Sequence, residues 1–412
     1  LSMTDDRSEQ TVLLLRLADL KEERMGSTDS AIEIYRDVLA NDASNPSALG
    51  SLERLLESAE YQATVADILE PIYEHGGASG RLVEVYEIQA NHATAPERRM
   101  ALFNEIAKLK EFSLNDLHGA FESYARAFRE DAGDPKARAE LERLGAAVGA
   151  ADALASVYEE VAGSSDEPDL AVDLLLRAAE IREDDLSQIE RAVEHYEKVL
   201  ELDPEHQQSA DALERLFQRA ERYEDLARIY RHKAKMLPSP ADQREQLVKA
   251  AAIYEDILER PAEAISVHQQ VLEIEPDDLQ SLDRLIELQT QLGKWSPLIE
   301  TYERKAEVVS DPDARRTLFL GMGQIYEGQL GDSDKAIDAY QRVLEIDADD
   351  LSALAHLDAL FESTAQWREL LQVLERESEL TADDGERTEV RFRIGELWRT
   401  QLEDPIQAIE IY

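Results

Sequence analysis

Cysteine is absent from all 412 residues, which removes disulfides, thiol nucleophiles and thiolate metal sites. Glycine (17) and proline (13) are scarce, so long disordered linkers are excluded. No run of about 18 apolar residues occurs, and without one no membrane-spanning helix forms. Period-two alternation is also missing, so no strand is expected. The start, Leu1-Ser2-Met3-Thr4-Asp5-Asp6, lacks the basic and apolar regions of a signal peptide. Leu1-Ser2 ahead of Met3 reads as a cloning remnant, and residues 1–7 as a flexible start. The expectation is a cytoplasmic chain.

Recognisable chemistry is lacking too. The eight histidines are His75, His92, His118, His195, His206, His232, His268 and His356. No two sit three to five apart, so no helical metal pair exists. The zinc-protease helix, the serine-hydrolase elbow and the phosphate loop do not occur. The acidic stretches Asp347-Ala348-Asp349-Asp350 and Asp383-Asp384-Gly385 lack EF-hand spacing and read as helix caps. We therefore expect no catalytic residue, no metal and no cofactor, and a chain that is not an enzyme.

What is abundant is acid. Eighty-nine acidic residues against 44 basic ones give a formal charge of -45. Such a chain repels nucleic acid and anionic membrane and attracts a basic protein. The acid also serves the solubility of a long helical surface, or adaptation to a salty cytoplasm. Composition leaves these accounts open.

One pattern recurs: Ala, an apolar residue, two more positions, then an aromatic or His. It stands at Ala31–Tyr35, Ala120–Tyr124, Ala192–Tyr196, Ala264–His268, Ala336–Tyr340 and Ala408–Tyr412. From Ala120 onward each copy begins 72 residues after the last, while the first interval is longer by 17. The surplus maps to one inserted helix near residues 61–92, where helical spacing appears twice around Gly76-Gly77. In the unit at Ala264 the spacing gives four helices, about Pro261–Leu272, a second to Leu292, a third from Trp295, and a fourth from Asp313 to Leu330. Pro276 and Asp277 break the first, and Gly293 and Gly331 end the second and fourth. Four helices in 72 residues are two antiparallel pairs. Pairs that small bury their apolar faces only by stacking.

These residues resemble the tetratricopeptide repeat. Gly323, Tyr326, Ala336 and Tyr340 fit its small and aromatic positions, as do Ala251, Tyr254, Ala264 and Pro276, and Ala192, Tyr196 and Pro204. The resemblance implies an all-α fold, a right-handed α-solenoid of stacked antiparallel helix pairs, over residues 8–412. Its units are about 8–95 (with the insertion), 96–167, 168–239, 240–311, 312–383 and a partial 384–412. Members of the family bind peptides or domains in a groove lined by the first helix of each pair. Carried onto this chain, the groove positions are Asp19, Glu22 and Glu23; Glu111; Glu180, Glu183 and Asp184; Glu255 and Asp256; Gln324 and Glu327; and Glu396. The pair ending near Ala120 departs from this, with Lys108 and Phe112 beside Glu111.

The expectation is a scaffold that binds a basic protein or peptide along an acidic groove. No nucleic acid and no membrane insertion are expected. The alternative is a structural array that self-associates end to end through uncapped ends, because Ala408–Tyr412 repeats Ala31–Tyr35 letter for letter.

Overall fold

The computed structural model describes residues 7–412, and no strand occurs among them. Of the start read as flexible, residues 1–6 lie outside the described residues, and Arg7 already opens a helix. The chain divides into two compact units, residues 1–209 and 210–412.

In the first unit the helices are α1 (Arg7–Glu23), α2 (Thr28–Asn41), α3 (Pro46–Leu55), α4 (Gln62–Gly76), α5 (Ser79–His92), α6 (Pro96–Lys108), α7 (Leu117–Glu130), α8 (Pro135–Val148), α9 (Ala151–Ser164), α10 (Pro168–Glu180) and α11 (Ile189–Leu202). The division falls inside α12 (Gln207–Arg219). The second unit continues with α13 (Tyr223–Met236), α14 (Pro240–Ala252), α15 (Pro261–Ile274), α16 (Leu279–Gln291), α17 (Trp295–Val308), α18 (Pro312–Ile325), α19 (Ser333–Ile346), α20 (Leu351–Ser363), α21 (Trp367–Leu380), α22 (Asp384–Thr400) and α23 (Pro405–Ile411). This is an all-α solenoid architecture. Within each unit helices pack chiefly on their neighbours in sequence, so the core lengthens along the stack instead of closing on itself. Two helices, α4 and α5, occupy the segment where later repeats have one. No helix among the described residues is long and apolar enough to cross a membrane.

The starts of many helices are written in the sequence. Proline stands at the first turn of α3, α6, α8, α10, α14, α15, α18 and α23, where its missing N–H costs nothing. Aspartates cap many of them. Asp350 accepts the Ala353 N–H at 2.9 Å, and Asp383 accepts from Gly385 at 2.8 Å and Glu386 at 2.9 Å. The two acidic stretches weighed against calcium loops are thus engaged as helix caps.

The ends follow a second rule. The final turns of α6, α10, α14 and α18 widen into π-helical segments, Leu109–Ser113, Ile181–Asp185, Ile253–Ile257 and Tyr326–Leu330. A left-handed residue then reverses the chain, at Asn115, Ser187, Glu259, Gly331 and, after α22, Glu403. Each comes 72 residues after the last. A bond from an N–H to the carbonyl six residues back closes each turn, for example Arg260 N–H to Tyr254 C=O at 2.7 Å. A second left-handed series, Gly77, Gly149, Glu221, Gly293 and Ala365, keeps the same interval.

The recurrent aromatics fill the space between helices. Tyr35, Tyr158 and Tyr340 are fully buried, alongside Phe128, Leu52, Leu69, Leu141 and Leu144. Each such side chain contributes about 1.5–3 kcal/mol by leaving water. The small residue opposite is what admits the ring. A Cβ placed on Gly323 would lie 2.5 Å from Tyr340 Cε1.

Candidate functional site

The candidate groove residues sit on α1, α6, α10, α14, α18 and α22 or on the widened turns that end them. The wide turn brings a glutamate to the same place in successive repeats: Glu22, Glu111, Glu183, Glu255 and Glu327. Thirteen residues later in each case comes the aromatic slot: Tyr35, Tyr124, Tyr196, His268 and Tyr340. The hairpin folds the two together. Tyr35 Oη donates to Glu22 at 3.1 Å and to Asp19 at 2.9 Å, Tyr196 Oη to Glu183 at 3.2 Å, and Tyr340 Oη to Glu327 at 2.9 Å. His268 Nε2 takes the role toward Glu255 at 2.7 Å. A carboxylate only accepts, so Nε2 carries a proton, and Nδ1 lies 3.1 Å from Ser281 Oγ.

A basic side chain from the next helix completes the arrangement. Arg54 Nη2 lies 2.6 Å from Glu22, Arg143 Nη2 2.7 Å from Glu111, and His356 Nδ1 2.9 Å from Glu327. Arg284 pairs with Glu255. One carboxylate therefore clasps three consecutive helices. The Glu111 and Glu255 side chains are only 8% and 7% exposed, which makes their pairing obligatory. Burial, with the neighbouring carboxylate, pushes the Tyr35 and Tyr340 phenols up, so both stay donors.

Other groove candidates also have partners. Glu180 receives Arg177 at 3.0 Å and Gln208 at 3.1 Å. Glu396 receives the Tyr412 hydroxyl at 2.9 Å and Arg399 at 2.5 Å, and the Tyr412 bond foremost holds its pKa below the usual range. By contrast Glu23, Asp184, Asp256 and Gln324 are exposed. The first three each follow directly on a clasped glutamate. The clasping cations were not visible to the sequence reading. The 13-residue Glu-to-Tyr/His spacing was a signal for half of the clasp.

A second polar cluster lies inside the first unit. The Arg182 side chain is wholly buried in the wide turn after α10. It donates to Glu159 at 2.7 Å, Gln188 at 2.9 Å and Ser156 at 3.1 Å, and pairs with Asp152. His195 Nε2 donates to Glu159 at 2.9 Å, and its buried Nδ1 has no partner. Burial drives the His195 pKa down, against the pull of Glu159. Burial pushes Glu159 up, but the bonds from Arg182 and His195 outweigh it and hold the carboxyl low.

Profiles described as tetratricopeptide repeat match residues 13–44, 172–206 and 317–350. These are the pairs α1–α2, α10–α11 and α18–α19, all of which carry the Tyr–Glu clasp. These three pairs are tetratricopeptide repeats. Among solved structures, YrrB, titled a TPR protein with an unusual peptide-binding site, is 18% identical over 44% of this chain and 89% of its own, with a TM-score of 0.23. The Naa15/Naa10 complex bound to HypK-THB gives 12% identity over 98% and 68%, TM-score 0.25. A tetratricopeptide-repeat protein from Parabacteroides merdae gives 15% over 64% and 98%, TM-score 0.25. Such scores transfer neither shape nor ligand to the tetratricopeptide array described here. No curated protein matches the sequence.

Proposed function

We propose that this tetratricopeptide array is a protein-interaction scaffold whose exposed acids receive a basic segment of a partner protein. The observation that carries the reading is the split, within each unit, between two kinds of carboxylate. Glu22, Glu111, Glu183, Glu255 and Glu327 are committed to internal cations or hydroxyls. Glu23, Asp184 and Asp256 are exposed and have no ion pair among the described residues. The first group stiffens the wall, and the second presents net negative charge to solvent. An arginine or lysine approaching any of these exposed acids gains attraction without breaking a protein contact.

The test is capture from lysate by the native chain and by a Glu23→Gln, Asp184→Asn, Asp256→Asn variant, at low and high salt. A partner held by the native chain, released by salt and missed by the variant supports the reading. Equal capture by both chains would return the acid to solubility. Changing Glu183 or Glu255 instead would confound binding with folding.

A further inference from the structure

One tyrosine of the clasp series has no hydrogen-bond partner for its hydroxyl among the described residues. Tyr124 is 5% exposed, yet its Oη forms none of the hydrogen bonds made by Tyr35, Tyr196 and Tyr340. The reason is local. Glu111, the carboxylate of its repeat, is held through both oxygens by Arg143 Nη2, at 2.7 and 2.8 Å. The other groove position that serves such a hydroxyl, Asp19 in the first repeat, is Lys108 here.

Tyr124 opens instead on a cleft of about 350 Å³ between α6, α7 and α8, lined also by Asn104, Lys108, Asp134, Lys136 and Glu140. The carboxylates there are occupied. Asp134 accepts the Lys136 N–H at 2.9 Å, Glu140 takes Arg143 at 2.7 Å, and Glu105 at the rim takes Lys108 Nζ at 2.7 Å. The donors are not all occupied: the Tyr124 hydroxyl and the exposed Lys136 ammonium have no acceptor among the described residues. Burial foremost, with Glu140 and Glu111 nearby, pushes the Tyr124 pKa up to about 12, so the phenol keeps its proton to give. One turn beyond Lys108, the Phe112 ring stands 76% exposed.

We infer that the cleft between α6, α7 and α8 takes one acidic side chain from an extended segment of a partner protein, with Tyr124 and Lys136 as its donors and Phe112 as the apolar contact beside it. A carboxylate brings two acceptor oxygens and no donor, matching the two donors in the cleft that lack an acceptor among the described residues. Bonds to a charged acceptor are roughly twice as strong as neutral ones. The volume suits a side chain and its flanking backbone. The inference uses the scaffold reading only in that the ligand is a protein segment. Its residues are not those of the exposed acidic positions.

The experiment is selection of a randomised dodecapeptide library, fused to phage through the peptide C-terminus, on the full 412-residue chain. Enriched sequences are then made as acetylated amides and followed by fluorescence anisotropy. We expect one shared Asp or Glu position. Its replacement by the amide weakens binding about tenfold, as do Tyr124→Phe and Lys136→Gln, and the peptide change adds little once Tyr124→Phe is present. Tyr124→Phe leaves the melting midpoint unchanged, because its hydroxyl has no internal partner. No enriched acidic position, unchanged binding by Tyr124→Phe, or binding only by a peptide with a free terminal acid would each overturn the inference. Enrichment of basic positions sensitive to Asp184→Asn would do so too, while supporting the proposed function.

Discussion

The imidazole of His356 lies flat on the phenol of Tyr340, with centroids 4.7 Å apart and planes 7° from parallel. Both groups reach Glu327 Oε2 at 2.9 Å. The stack and the shared acceptor lock α18, α19 and α20 in one register. Tyr340→Phe keeps the ring and leaves Glu327 one donor short. We expect a loss of about 1 kcal/mol, read as a lower urea midpoint, while Tyr124→Phe measured alongside shows no loss.

Gly323 is the small residue on which Tyr340 rests. Gly323→Ala sets a methyl 2.5 Å from the ring in a helix that otherwise favours alanine. Overpacking wins over propensity, and a loss of about 1–3 kcal/mol follows. Gly328→Ala, with open space around its Cβ, gains stability or holds it. If calorimetry ranks the two the other way round, the ring is not held where the structure puts it.

The left-handed positions predict stabilising changes. Glu221, Glu259 and Ala365 adopt φ of 55°, 53° and 57°, a conformation that disfavours a Cβ. Glycine at each should raise the melting midpoint, by up to about 1 kcal/mol per site less the entropy glycine adds to the unfolded chain. Gly331→Ala, at φ 65°, should lower it.

Acid should loosen the first unit through His195. Its folded pKa lies below the ordinary imidazole value of 6.5, so the unfolded chain takes the proton first. Its contribution is whole above that value and is lost as pH falls below it. Glu159, held below its ordinary 4.5, adds a further loss as pH falls through the range beneath. Replacing His195 with Gln should flatten the decline of the urea midpoint between about pH 7 and 5.5, and the steeper fall at lower pH should remain.

The architecture was legible because packing enforces it. The alanine-to-tyrosine pattern marks where two helices touch, and a stacked repeat must present the same contact each time. The helix bounds read around Ala264 agree with α15 to α18 within a few residues. The left-handed residues were legible only where glycine filled them, at Gly293 and Gly331. Glu221, Glu259 and Ala365 occupy equivalent turns with no glycine to mark them.

The candidate site was legible in position and illegible in state. Spacing located the acids, but whether a carboxylate is free depends on cations 29 to 32 residues away in Arg284, Arg54 and Arg143. Arg54 and Arg143 stand 32 residues after their glutamates and Arg284 29 after its own, about one helical turn nearer, so a single spacing does not find all three. Lys108 and Phe112 broke the acidic pattern in the sequence already. Only the third dimension joined that break to an idle hydroxyl.

The clasp also makes adhesion and integrity one variable. Glu255 is gripped by Arg284 of α16 as well as by His268 of α15. A foreign guanidinium seeking that carboxylate competes with Arg284 and, on winning, frees α16 from its neighbour. Its affinity is reduced by whatever that release costs. By reciprocity, anything that pries α16 loose, heat or mechanical tension included, uncovers an anchor for cations that the relaxed chain withholds.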